Sequence, residues 1–401
     1  MEFIILIGIF FALLFNFVDG VNGAGNSIAT IVATRALRPV YALLLAAVCN
    51  IAGPFLLTTA IAKTIGTGVV IPAALTPEVV VIAVFSGVLL LSVLTAKGFP
   101  IAAGHALIGC MVGASISAFG PSTVIWPGIE LVRSVAMSGL FGALCGSMFF
   151  AIIFRALNGP VWLGVIAGGV GGFSLMVVSL MAAGLLHVNG LLAIIIFIVI
   201  SPTIGFLGGF TLDIIISYFF RFSRQSRRNK IFHPLQVIAG ALQAIGHGAN
   251  DGLYAVGIIA ALFIAGGMAE EFTAPFWVMV ASALAIGAGS LFGGWKVITK
   301  VAKGITRIRP YQGFCASSAG GLVICALVLS GIPSSTAHII SGSIVGVGAT
   351  RGKNAVDWRV VRDIVTTWVV TFPLGLITAY VCYFGYSALI KGILIGLKFV
   401  G

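Results

Sequence analysis

The sequence predicts an all-α polytopic membrane protein of about twelve crossings, with inverted-topology repeats and two broken or re-entrant glycine-rich segments. Three observations predict it. Hydrophobic residues make up 60% of the 401 residues and charged residues only 8%, where a soluble domain carries roughly 25% charged. Apolar runs of about 20 residues, enough to cross a bilayer as helix, recur from end to end. A polar, glycine-interrupted stretch occurs once in each half of the chain. The alternation expected of a membrane β-barrel is absent.

Taken in order, the apolar runs place spans at 3–35, 40–62, 78–96, 98–118, 128–156, 160–186, 190–220, 235–266, 274–295, 311–330, 331–350 and 357–395. The first and eighth are long, and polar motifs interrupt both. The opening residues carry only Glu2 as an early charge and no small-x-small cleavage site before Asn16. The first span therefore reads as a membrane helix rather than a cleaved leader. The six cysteines (Cys49, Cys110, Cys145, Cys315, Cys325, Cys382) are scattered through apolar runs without paired spacing and read as small packing residues.

The formal charge of +12 is explained by topology, not by nucleic acid. Arg35 and Arg38 follow the first span, Lys97 the third and Arg155 the fifth. Arg221, Arg224, Arg227, Arg228 and Lys230 follow the seventh. Lys296, Lys300, Lys303, Arg307 and Arg309 follow the ninth, and Arg351, Lys353, Arg359 and Arg362 the eleventh. Of the 22 bases only Lys63, Arg133, Lys391 and Lys398 lie elsewhere. The positive-inside rule then puts both termini outside, in a cell (plasma) membrane. The same parity favours net crossings by 98–118 and 331–350, with re-entrant hairpins as the alternative.

The stretch His247-Gly248-Ala249-Asn250-Asp251-Gly252 carries the chemistry. A carboxylate, a carboxamide and an imidazole within a membrane helix are expensive and are kept to line a water path or bind something. It echoes the first span: His247 aligns with Asp19, Gly248 with Gly20, Asn250 with Asn22, Asp251 with Gly23 and Tyr254 with Asn26. Both copies put polar groups at i, i+3, i+4 and i+7, one helix face. Gly98-Phe99-Pro100 and His105 match Gly331-Ile332-Pro333 and His338, and Ile125-Trp126 matches Asp357-Trp358. The first span matches the eighth, an odd number of crossings later, so the copies point in opposite directions. A first repeat is expected over 1–159, a second over 235–401. Between them, 160–234 holds intervening spans and the basic cytoplasmic loop. Such paired broken segments point to the central site of a secondary transporter.

Ser334, Ser335 and Thr336 follow Pro333 at an expected half-helix start, where free N–H groups, hydroxyls and the helix dipole suit an anion. A capped, proline-kinked packing helix is the alternative. Asp251 can bind a cation or accept a proton, and Asp19 lies one turn from Gly23 on the same face. Asn22, Asn26 and Asn250 can ligate Na⁺, donate to an oxyanion, or act as interhelical glue. His247 shares Asp251's face and is a candidate proton relay; His105 and His338 are relay candidates or hydrogen-bonded core residues. There is no nucleotide loop, zinc spacing or nucleophile elbow, so no enzyme and no cofactor is expected.

At these residues the chain resembles the inorganic phosphate transporter family, PiT. His247 to Gly252 is similar to its H-G-x-N-D-G signature, Asn26-Ser27-Ile28-Ala29-Thr30 with Thr34-Arg35-Ala36-Leu37 to its first-copy signature, and Pro333 to His338 to its P-x-S-[ST]-[ST]-H element. Ile200-Ser201-Pro202 and Asp357-Trp358 also sit where the family has similar residues. The resemblance implies cation-coupled uptake of inorganic phosphate, driven by Na⁺ or H⁺, through alternating access. It departs where Gly23 replaces Asp, where Ala102, Ala103 and Gly104 replace hydroxyl residues, where Ala337 replaces a hydroxyl residue, and where Tyr254 replaces a frequent Asn. A sulfate-type oxyanion permease and a transporter-like anion receptor are the other readings. The glycine-rich spans offer packing faces for a homo-oligomer.

Overall fold

The computed structural model describes residues 2–57, 61–62, 68–156, 161–188, 190–332 and 334–400. Pro333 and Lys63 therefore lie outside the described residues. Each expected span coincides with a helix or a bent helix pair. They are α1 (Glu2–Thr34), α2 (Pro39–Leu56), α3 (Pro77–Ala96), α4 (Ala103–Phe119), α5 (Ile129–Ala156), α6 (Val161–Ala182) and α7 (Gly190–Phe219). The second half holds α8 (Gln225–Asp251), α9 (Tyr254–Ala265), α10 (Phe276–Phe292), α11 (Trp295–Thr299), α12 (Pro310–Leu329), α13 (Thr336–Ala349) and α14 (Trp358–Val400). Pro39, Pro77 and Pro310 open α2, α3 and α12, where a missing N–H costs nothing. The expected break in the eighth span falls at Gly252–Leu253, between α8 and α9. The expected break in the first span is absent: α1 runs unbroken for 33 residues.

Nine helices among the described residues are long and apolar enough to cross a bilayer, and the pair Phe276–Phe292 with Trp295–Gly304, bent by 66°, makes a tenth. The arms α4 and α13, with 17 and 14 residues, are about 25 and 21 Å long at ~1.5 Å per residue. Both fall short of a ~30 Å hydrocarbon core. Each is the returning arm of a helical hairpin. An isolated bridge, Val70 to Val124, joins the segment before α3 to the one after α4; a second, Thr306 to Val356, joins the segments flanking α12 and α13. Each pair thus starts and ends at the same place. The segments 98–118 and 331–350 are thus the second arms of two helical hairpins, and each hairpin returns the chain to the side it left, which keeps the parity read from the basic loops.

The two hairpin turns are built alike. Gly98 (φ 81°) and Gly331 (φ 67°) adopt the left-handed backbone that closes a helix. Phe99 N–H reaches Leu94 O at 3.0 Å, and Ile332 N–H reaches Leu327 O at 2.9 Å. These six-to-one bonds are the helix-stop motif that glycine permits.

Inversion is visible where α1 meets α8 and α9. Asn16 Nδ2 donates to Gly252 O (3.0 Å) and its Oδ1 accepts from Ala255 N (3.1 Å). Gly23 lies against His247, and Gln243 Nε2 donates to Asn26 O. Gln236 Nε2 donates to Thr30 O (2.7 Å), and Thr34 Oγ1 donates to Gln236 Oε1 (2.8 Å). As residue numbers rise on one helix they fall on the other, so the two polar helices are antiparallel.

The short arms lie parallel to long helices through backbone-close glycine contacts. On α4, a Cβ at Gly109 or Gly113 would meet Phe372 O or Leu376 O of α14 at 2.4 or 2.1 Å. On α13, a Cβ at Gly342 or Gly346 would meet Pro202 O or Phe206 O of α7, both at 2.2 Å. α7 and α14 each carry one internal proline near this contact, Pro202 and Pro373. α5 and α6 pack on each other through Gly142, Gly146, Gly168 and Gly172. Within lipid there is no hydrophobic drive between helices, so such close backbone approach supplies the packing. Gly342→Ala should therefore lower stability by about 1–3 kcal/mol through overpacking. Gly385→Ala on α14, with nothing within 4 Å of its added Cβ, should not. Thermal unfolding in detergent micelles compares the two.

Candidate functional site

One buried cavity collects five of the sequence-predicted residues, Ser334, Ser335, Thr336, Asp251 and His105. Its walls are Ile101 to His105 at the start of α4, Ser334 to Thr336 at the start of α13, Asp251 and Tyr254 at the break between α8 and α9, and Val69, Ile108, Gly190, Ala193, Ile194 and Phe197. Both hairpins thus aim a helix N-terminus into the same space. The His105 and His338 rings, one on each arm, stand 5.1 Å apart, and His338 also packs on Trp368 at 4.1 Å. Both nitrogens of His338 and Nδ1 of His105 lack a hydrogen-bond partner.

Asp251 is the centre of the polar network and only 4% exposed. Thr336 Oγ1 donates to its Oδ2 at 2.8 Å; Tyr254 OH donates to its Oδ1 at 3.1 Å, as does Asn250 Nδ2. Asn250 Nδ2 also reaches Ser334 O at 2.7 Å, tying the helix break to the second hairpin turn. Ser335 caps α13 by accepting from His338 N–H (3.4 Å). Ser334 Oγ and Asn250 Oδ1 are buried without partners. The first N–H groups of α13 have no intrahelical acceptor.

A chain of hydrogen bonds sets the proton on His247. Ser290 Oγ donates to Ile286 O (2.9 Å), so it accepts from Asn50 Nδ2 (2.8 Å). Asn50 Oδ1 then accepts from His247 Nδ1–H at 3.1 Å. This leaves Nε2 facing Asp251 Oδ2 at 3.2 Å. Nε2 makes no hydrogen bond there, so the His247–Asp251 contact is left unsatisfied. The sequence reading did not include Asn16, Asn50, Gln236, Gln243, Ser282 or Ser290. Their signal was available: each is a polar side chain inside an apolar run.

The first-copy residues divide. Asn22 is spent on the first hairpin turn: Nδ2 donates to Thr95 Oγ1 and Phe99 O, both at 2.9 Å, and Oδ1 accepts from Ile101 N–H at 3.4 Å. Asp19 is buried, has an unpartnered Oδ2, and lies within electrostatic reach of Asp251 and Tyr254. Asn26 keeps an unpartnered Oδ1. Among the described residues no three His, Cys, Asp or Glu side chains cluster to hold a metal ion.

Two first-copy departures are filled by second-copy side chains. A Cβ on Gly23 would sit 2.1 Å from His247 Nε2; a Cβ on Gly104 would sit 2.7 Å from Tyr254 OH. The imidazole and the phenol occupy the room that an Asp and a hydroxyl residue would need. Gly104→Ser alone should therefore destabilise the protein, and pairing it with Tyr254→Asn should recover much of the loss. A double-mutant cycle read by thermal unfolding should give a coupling of about 0.5–3 kcal/mol; additive losses would contradict the shared space.

Comparisons with known proteins identify the family and the fold. The model of the phosphate transporter family, PHO4, matches residues 19–162 and 220–379. A probable low-affinity inorganic phosphate transporter of Rhizobium meliloti (strain 1021) is 34% identical over 386 residues, covering 96% of this chain and 97% of the relative. Another of that description from Bacillus subtilis (strain 168) is 32% identical, covering 93% and 94%. A solved structure described as the sodium-dependent phosphate transporter shares the fold, with a TM-score of 0.68 at 22% identity, over 97% of this chain and 100% of that one. With its inverted polar helices, two converging hairpins and a family match over most of its length, the chain belongs to the phosphate transporter family, a family of transporters and not of enzymes.

Proposed function

We propose that the chain is a cation-coupled inorganic phosphate symporter working by alternating access. The observation that carries this reading is the convergence of two helix N-termini on one buried cavity beside Asp251. The anion is held by the hydroxyls of Ser334 and Ser335 and by the N–H groups that open α13 and α4; Asn250 meets it through its free Oδ1, and Thr336, whose hydroxyl is given to Asp251, positions the carboxylate. Asn22 takes a positioning role instead of a binding one, because its amide is used up in the 97–102 turn. Ser334 Oγ and Asn250 Oδ1 are unpartnered acceptors. Monohydrogen phosphate can donate to one of them, whereas sulfate at neutral pH cannot, which favours phosphate.

We take the proton as the driving ion, because a proton arriving between His247 Nε2 and Asp251 Oδ2, 3.2 Å apart, would satisfy a contact that is otherwise without a hydrogen bond. Sodium is the second reading. Asp19 Oδ2, Asn26 Oδ1 and Asn250 Oδ1 are unpartnered oxygens on the facing polar helices, hard donors of the kind an alkali cation takes. The solved relative is described as sodium-dependent. For the repeats, the helix contacts support a spatial division beside the expected one at 159 and 234. The first copy is α1–α4 with α7, the second is α8–α14, and α5–α6 is a hairpin inserted in the first. This pairs α4 with α14 and α13 with α7, the same contact twice. The basic loops then face the cytoplasm of a cell membrane, with both termini outside.

Proteoliposomes with an imposed inward H⁺ or Na⁺ gradient test the reading, using labelled phosphate and excess sulfate as competitor. Accumulation should follow the H⁺ gradient, resist sulfate, and be lost in Asp251→Asn. Ser334→Ala should raise KM about tenfold, the worth of one hydrogen bond to a charged ligand. Accumulation with Na⁺ alone would select the second reading; sulfate uptake without phosphate uptake would overturn the substrate.

A further inference from the structure

The side of the fold away from the anion site carries a cleft of two chemistries. Its outer part is basic, lined by Lys303, Arg307, Arg351 and Arg359. None of these four is in an ion pair among the described residues. Arg351 Nη2 donates to Thr306 Oγ1 (2.7 Å) and is drawn towards Asp213. The acid in this pocket, Asp357, is occupied as a helix cap, accepting from Arg359 N–H (3.0 Å) and Val360 N–H (3.4 Å). All four cations are exposed.

Ile305 lines the basic pocket and also an apolar groove that continues from it, between α6–α7 and α13–α14. Along α14 the groove is lined by Val361, Ile364, Val365 and Trp368, an i, i+3, i+4, i+7 stripe on one helix face. From Trp358 in the basic pocket to Trp368 is about 15 Å of helix, half of a ~30 Å bilayer core and so the depth of one leaflet. The groove has a volume of about 340 Å³. Of its two hydroxyls, Thr203 donates to Val199 O (2.7 Å) and only Ser341 is unpartnered. Water needs two to four polar partners and does not fill such a space.

We propose that this cleft binds one anionic diacyl phospholipid of the leaflet on the basic side. The phosphate headgroup sits among Lys303, Arg307, Arg351 and Arg359, and an acyl chain runs down the groove to Trp368. Basic pockets between membrane helices recognise lipid phosphates, and charge alone attracts the headgroup from its own leaflet. The groove floor includes Ser341, Gly342 and Val345 of α13, and Trp368 packs on His338, two residues beyond Thr336. An occupying chain therefore braces the hairpin arm that carries the anion site, and the lipid is a regulator of transport.

The test uses the full chain in nanodiscs of phosphatidylcholine alone or with added phosphatidylglycerol, with native mass spectrometry and thermal unfolding as readouts. About one phosphatidylglycerol per chain should be retained, with a higher unfolding temperature than in phosphatidylcholine alone. The exposed pair Arg307→Gln and Arg359→Gln should weaken retention about thirtyfold, at about 1 kcal/mol for each base removed. Val365→Trp, which fills the groove and leaves the bases intact, should also reduce it. Equal retention and stabilisation by both lipids, or by wild type and the charge variant, would overturn the proposal. So would free inorganic phosphate reproducing the thermal shift in phosphatidylcholine alone, since that marks the pocket as a site for a free anion.

Discussion

The cost of burying one carboxylate organises the centre of this fold. Asp251 lies deep in an apolar chain, where an unpaired charge would cost several kcal/mol or more. Its oxygens are met from four sides, by Thr336, Tyr254, Asn250 and His247. Each partner sets a condition on the backbone. Thr336 requires the second hairpin to place its helix start there. Tyr254, one turn after Asp251, keeps that helix face across the break at Gly252–Leu253. His247 requires Asn50 behind it, and Asn50 in turn needs Ser290 on α10. The network therefore reaches through α2, α8, α9, α10 and α13, and a movement of any of them is felt at the carboxylate.

The half-helix arrangement follows from the same physics. Free N–H groups inside a membrane are tolerable only where they are buried in protein or face a polar ligand. The two hairpins put their exposed helix starts at one spot and hide their turns with glycine-closed caps. Asn22 serves the first turn much as Asn250 serves the second. One donates to Phe99 O, the other to Ser334 O. The equivalence is not complete, since Asn250 also serves Asp251 whereas Gly23 offers no carboxylate to Asn22. The two polar helices thus differ at this position: Asn22 is given wholly to its turn, whereas Asn250 is shared between its turn and Asp251. The room vacated at Gly23 and Gly104 is taken by His247 and Tyr254, so the loss of polar groups on α1 and α4 is met by groups from α8 and α9.

Much of this was legible in the chain. Length and hydropathy determine a bundle of membrane helices, because backbone polar groups in lipid must be satisfied within each segment. Periodicity determines that Asp19, Asn22 and Asn26 share a face, and that His247, Asn250, Asp251 and Tyr254 share another. The placement of arginine and lysine after alternate spans yields an orientation. Glycine followed by proline at 98–100 and 331–333 marks the two turns. These are local properties, set by backbone geometry and side-chain chemistry within a few residues.

The tertiary structure alone decided the rest. That 98–118 and 331–350 fold back as the second arms of hairpins depends on what their flanks touch, and the Val70–Val124 and Thr306–Val356 bridges join residues far apart in sequence. Asn22 looked like a ligand because its neighbours along the helix are polar; Thr95, Phe99 and Ile101, which consume its amide, come from another hairpin. α7 takes the place beside α13 that chain order suggested for α5, because packing is chosen by complementary glycine and proline surfaces and not by sequence position. The meaning of Gly23 and Gly104 was hidden for the same reason. A glycine records an absence in one dimension, and only the folded chain shows which side chain has moved into the space.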